Sequence, residues 1–139
     1  MEPMNKAFYW EDIARYDFES ALALLQGERY LHVVFMCQQA VEKMVKALYV
    51  YIKKGDPPRV HNIMHVFKKT FQGQINSNSE LGQQTNRYAP FFARLFAHYI
   101  SGRYPNYKEK LSESVEEAEA KEVYEKTKEV FGWLESLKR

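Results

Sequence analysis

Apolar residues recur at helical spacing along most of the chain. From about Asn5 to Gln26, the residues Trp10, Ile13, Ala14, Ala21, Leu24 and Leu25 fall on one side of a helix, and Gly27 is a natural stop. Asp17 lies in step with that stripe, so its carboxylate needs a partner on a neighbouring helix. A second helix is predicted from Tyr30 to Lys54. Its stripe runs through Val33, Val34, Cys37, Ala40, Val41, Met44, Leu48, Tyr51 and Ile52, and its polar face carries Gln38, Gln39, Glu42, Lys43 and Lys46. Gly55-Asp56-Pro57-Pro58 ends it.

A shorter helix follows from His61 to Phe71, with Ile63, Val66, Phe67 and Phe71 inward. A fourth starts near Ser79 and reaches Ser101-Gly102. Pro90 either kinks it or starts it afresh. The last helix spans about Ser114 to Leu137, with Ser114 and Glu117 spaced as a capping box. No useful strand-like alternation, internal repeat or low-complexity segment appears. The pattern predicts an all-α protein, an up-and-down four-helix bundle with an extra short helix, as one domain over residues 1–139.

Charge changes this picture. The net charge is only +2, but residues 1–42 balance to −4, residues 43–108 to +9 and residues 109–139 to −3. Three of the four histidines also lie in the basic middle. Such a block attracts phosphate, unless the acidic flanks fold onto it and neutralise it. Aromatic residues reach 15%, more than a bundle of this size needs for its core, which predicts a contact surface and a homodimer. The single cysteine, Cys37, excludes a disulfide within the chain and sits in an apolar stripe, as a small core residue does. The opening residues lack a basic-then-apolar leader pattern, and no apolar run approaches the roughly 20 residues that span a bilayer. The expected compartment is the cytoplasm, with no membrane partner.

Candidate chemistry is sparse. His61 and His65 are four residues apart and fit a shared helix face, but two imidazoles do not make a zinc site. Phosphate contact suits them better, with Arg59 and Lys68 nearby. No metal or other cofactor is expected. Arg94 and His98 share a face four residues apart, a pairing that suits RNA cleavage if a partner surface completes it. The bland alternative is that Arg94 packs its stem and pairs locally, with His98 at an interhelix hydrogen bond. No glycine-rich phosphate loop, dinucleotide fingerprint or Gly-x-Ser-x-Gly turn is present, which argues against self-contained ATP hydrolysis, redox or protease chemistry.

The run Gln38-Gln-Ala-Val-Glu-Lys-Met-Val-Lys-Ala-Leu48, preceded by Tyr30 and Phe35, resembles the signature helix of the HEPN domain family. The first helix, with Trp10, Ala14, Asp17 and Phe18, is similar to the family's first helix. Val60-His61 and Tyr99-Ile-Ser-Gly-Arg103-Tyr-Pro105 resemble its other marked stretches. The likeness covers about residues 5–137. It implies a four-to-five-helix bundle, commonly dimeric, often working beside a minimal nucleotidyltransferase as a nucleotide- or substrate-binding subunit. Another branch consists of metal-independent endoribonucleases, including toxins. These carry an Arg, a polar residue after it, four to six intervening residues, and a His. Here Arg94 and His98 enclose only three residues and Leu95 is apolar, so no catalytic residue carries over. What the resemblance carries over is Gln39, Glu42, Lys43 and Lys46 with His61, Arg103 and Tyr104.

The reading that follows is a HEPN-type module binding a nucleotide or an RNA end for a separate minimal nucleotidyltransferase. Lys43, Lys46, Arg59, His61 and Arg103 would contact phosphate, and Tyr104 or Tyr107 would stack a base. The alternatives are a toxin-like endoribonuclease at a dimer interface, using Arg94 and His98, and a ligand-free interaction or antitoxin module.

Overall fold

A computed structural model describes residues 2–103 and 110–138, apart from the side chain of Arg103. Five α-helices follow one another: α1 (Pro3–Gln26), α2 (Tyr30–Lys53), α3 (Ile63–Thr70), α4 (Glu80–Arg103) and α5 (Glu117–Ser136), with a 3₁₀ turn at Leu111–Glu113. Among the described residues there is no strand. The four long helices and one short helix are those the apolar stripes predict.

The helix ends follow local chemistry. Pro3 occupies the first turn of α1, where a missing N–H costs nothing. Gly27 follows α1 as expected, but the left-handed residue is Glu28, with φ of 60°. The amide of Arg29 then closes the turn on the Leu24 carbonyl at 2.9 Å. Lys54, φ 63°, is the left-handed residue that ends α2, its own amide donating to the Val50 carbonyl at 2.9 Å. Asn62 caps α3 by accepting from the His65 amide at 3.2 Å, so His61 lies outside the helix and shares no helix face with His65. Ser79 caps α4 by accepting from the Gly82 amide at 2.9 Å. Helix α4 runs through Pro90 without a break. The capping box at Ser114 does not form. Ser114 ends the 3₁₀ turn, its hydroxyl donates to the Leu111 carbonyl at 2.6 Å, and α5 begins three residues later behind Glu116.

Helix α2 is the axis of the molecule. It packs against α1, α3, α4 and α5, and α1 covers it most extensively. Its buried residues therefore go all the way round: Val33, Val41, Met44 and Leu48, but also Gln38, Glu42 and Lys46. Cys37 is fully buried in this core, and burial pushes its thiol pKa up to about 11. At neutral pH it is a small apolar filler, not a nucleophile. A second aromatic layer joins α3, α4 and α5. Trp133 stacks on Tyr88 at 4.5 Å and meets Phe67 at 5.3 Å, and its indole N–H donates to Gln84 Oε1 at 2.9 Å. Much of the aromatic excess is thus structural. Among the described residues the exposed aromatics are on α1, where Phe8, Tyr9 and Tyr16 are 57%, 57% and 70% exposed.

Candidate functional site

Three polar residues on α2, Gln38, Glu42 and Lys46, stand at successive helical turns and are all buried. Each is answered. Lys46 Nζ donates to Glu42 Oε2 at 3.0 Å and lies 5.6 Å over the Trp10 ring, a cation–π contact that helps replace its lost water. Gln38 Nε2 donates to Glu42 Oε1 at 3.3 Å and to the His61 carbonyl at 3.1 Å. His61 Nδ1 lies 3.2 Å from both Glu42 oxygens. Because an ionised carboxylate only accepts, Nδ1 must carry a proton, and in the neutral ring Nε2 is then an acceptor. The imidazole is thus fixed through its side chain and its backbone, yet its side chain stays 49% exposed, with the Tyr99 ring 5.0 Å away. The one buried side-chain polar atom left without a partner among the described residues is Gln38 Oε1.

The structure redistributes the basic middle block. Lys43 Nζ pairs with Asp17 Oδ2 at 2.5 Å, which supplies the partner that Asp17 needs inside its stripe. Lys46 is buried in the Glu42 pair. Neither ammonium is free for a phosphate. Asp56, one of the two acids in the block, pairs with Lys6 of α1 at 3.0 Å. Lys53, Arg59, Lys68 and Lys69 form no ion pair with a described residue, and all four are exposed. They lie in one stretch of chain, from the last turn of α2 to the last turn of α3, with His61 between them.

Arg94 and His98 come together, but on an acid. Arg94 donates to Glu122 at 2.6 Å and to Glu119 at 3.2 Å, and His98 Nε2 lies 3.1 Å from the same Glu119 oxygen. The Glu122 hydrogen bond is the main reason the Arg94 pKa rises above its ordinary value. Both residues of the ribonuclease alternative are therefore engaged by α5, whose acidic flank neutralises this part of the basic block. The side chain of Arg103, together with Tyr104 and Tyr107, falls outside the described residues. Among the described residues no group of three or more His, Cys, Asp or Glu is placed to hold a metal ion. No helix among them is long and apolar enough to cross a membrane.

The family model for the HEPN domain matches residues 7–137. The chain belongs to the HEPN domain family. Two solved structures share its fold. An archaeal HEPN homologue, ST0689, is 24% identical with a TM-score of 0.72, over 96% of this chain and 98% of that one. TT1696 from Thermus thermophilus is 18% identical with a TM-score of 0.70, over 95% of this chain and 98% of that one. A comparison with curated protein sequences gave no match. In this HEPN domain the signature helix is the buried central helix. Its Gln38-to-Lys46 run builds the support under His61, not an exposed binding face. The signal for this is present in the sequence. Gln38, Glu42 and Lys46 repeat every four residues, the register of a self-paired polar ridge.

Proposed function

We propose that this HEPN domain binds the phosphate-bearing end of a nucleotide or an RNA at the surface that runs from the end of α2 through His61 to α3. A separate minimal nucleotidyltransferase would hold the metal and do the chemistry. One observation carries the reading. Among the described residues, after ion pairing has consumed Lys43, Lys46 and Arg94, the unpaired cations of the basic block are Lys53, Lys54, Arg59, Lys68 and Lys69, which flank His61 in sequence, and Arg87 on α4; the His61 imidazole between the first five is half-exposed and held by Glu42. Arg59 and Lys53 supply charge, and His61 Nε2 supplies a directed contact for a ligand hydroxyl or amine. Lys43 and Lys46 take the role of support.

The test is titration of ATP and of a short labelled single-stranded RNA at low and moderate salt. Binding is expected at low salt and should weaken as salt rises, because released counterions drive such contacts. Arg59→Glu should weaken RNA binding and reduce the salt slope by about 1. Arg29→Glu, which reverses an exposed cation outside the stretch, should leave it unchanged. Failure of both ligands to bind at low salt would leave an interaction module as the surviving reading. A short nucleotidyltransferase gene next to this one would support the division of labour.

Tyr9 and Tyr16, seven residues apart and so on one face of α1, are both exposed, with Phe8 exposed next to Tyr9 in sequence; aromatic surface on one helix face supports a homodimer. Light scattering at micromolar concentration should give twice the chain mass of 16.5 kDa. A measured mass of one chain rules the dimer out.

A further inference from the structure

A cleft of about 570 Å³ opens between α3 and the first half of α4, walled by the 71–79 turn. This lies within the roughly 300–1,000 Å³ of ordinary small-molecule sites. Met64, Phe71, Ile75 and Ala89 give it apolar surface. Lys68, Gln72 and Asn86 are among its polar lining, and no carboxylate lines it. Lys68 has no ion pair, and the side-chain amides of Gln72 and Asn86 make no hydrogen bond with a described residue. Residue 90 is proline and has no N–H, so the main-chain carbonyl of Asn86 also lacks its usual helical donor.

The wall is set in advance. Asn76 Oδ1 accepts from the Asn78 amide at 3.1 Å, and the Ser79 hydroxyl that caps α4 donates back to the Asn76 carbonyl at 3.0 Å. Gly82 lets that turn lie directly on α4. A Cβ at position 82 would sit 1.7 Å from the Asn76 carbonyl oxygen. A cleft held this way loses little freedom when a ligand enters.

An apolar surface suits a flat ring. Two uncommitted amides each offer donors and an acceptor, the combination that reads the edge of a base. One unpaired ammonium suits one phosphate. With no carboxylate in the lining, nothing there repels that phosphate or supplies an acidic ligand to a phosphate-bound magnesium ion. We infer that this cleft takes the base and phosphate of a nucleoside monophosphate, free or as the terminal residue of an RNA. The inference rests on the nucleotide-binding reading above and adds a base pocket that shares Lys68 with the surface proposed there.

Amide chemical shifts followed by NMR during titration with AMP, with ribose 5-phosphate and with a 5′-phosphorylated RNA tetramer test it. AMP should move the amides of Lys68, Gln72 and Asn86, and ribose 5-phosphate should bind at least about tenfold more weakly, lacking the ring. Lys68→Ala should raise the AMP Kd about tenfold, and Lys68→Arg should restore it. Ala89→Leu fills the cleft and should abolish the AMP shifts, with far-UV circular dichroism checking that the helices remain. If the tetramer moves the same amides, the terminal residue of RNA is the source; if only AMP does, the source is the free nucleotide. AMP shifts confined to Arg59 and His61, with the cleft silent, overturn the pocket and leave the proposed function standing. No shifts anywhere with AMP and RNA at low salt overturn both.

Discussion

Lys46→Ala is expected to lower the unfolding free energy by about 3 kcal/mol, which for a chain of this size lowers the melting temperature by about 10 °C. The side chains of Lys46 and Glu42 are only 7% and 4% exposed, so deletion of the ammonium leaves a buried carboxylate with neutral donors alone. It also removes the cation from the Trp10 face. The double variant Glu42→Gln with Lys46→Met should regain most of the loss, because it removes the charge as well as its partner. Denaturant unfolding measures both. A single variant as stable as the wild type would mean that Gln38 and His61, without Lys46, are enough to hold the Glu42 carboxylate.

The second large effect is an absence of activity. Labelled RNA incubated with the purified protein and EDTA should stay at its background level of breakage. Arg94→Ala and His98→Ala should be indistinguishable from the wild type. A ribonuclease needs a cation on the phosphate and a proton-transfer group within reach of a ribose oxygen. Here both candidate groups are turned onto Glu119, and Arg94 is held by Glu122 as well. A phosphate would have to displace two carboxylates from the arginine and bring like charge beside them. Metal-independent cleavage by the wild type, lost in both variants, would make this chain a ribonuclease and overturn the proposed function.

The helices are legible because apolar periodicity is set by burial, and burial is what each helix contributes to the bundle. The sites are less legible, for reasons that differ by residue. A stripe on α2 suggests a polar face turned to water, and by spacing Gln38, Glu42 and Lys46 belong to it. The structure surrounds α2 with four helices, so those residues are buried and spent on one another. Lys43 looks free in the sequence because its partner, Asp17, is 26 residues away on another helix. His61 looks helical by its spacing from His65, but the Asn62 cap starts α3 one residue after Asn62 itself. Ser114 and Glu117 have the spacing of a cap, and a local 3₁₀ turn claims the serine first. On α2 contacts between helices outweigh the pattern in sequence, whereas at His61 and Ser114 a competing local cap or turn does. At His98 the contact to another helix is present, on Glu119, whereas Arg94 pairs with Glu119 and Glu122 of α5 and not locally.

Pro90 divides α4 into two lengths of different use. Residues 80–89 wall the cleft, while residues 91–103 carry Phe92 and Leu95 into the core and Arg94 and His98 onto α5. One rung is missing from the ladder of main-chain bonds at the join. Opening of the first length therefore need not unzip the second, since no amide at 90 transmits the break. In hydrogen exchange, α4 should behave as two blocks with separate protection, the later one sharing the protection of α2 and α5. A single helix would then serve two neighbours, the cleft and the core, through halves that are protected separately.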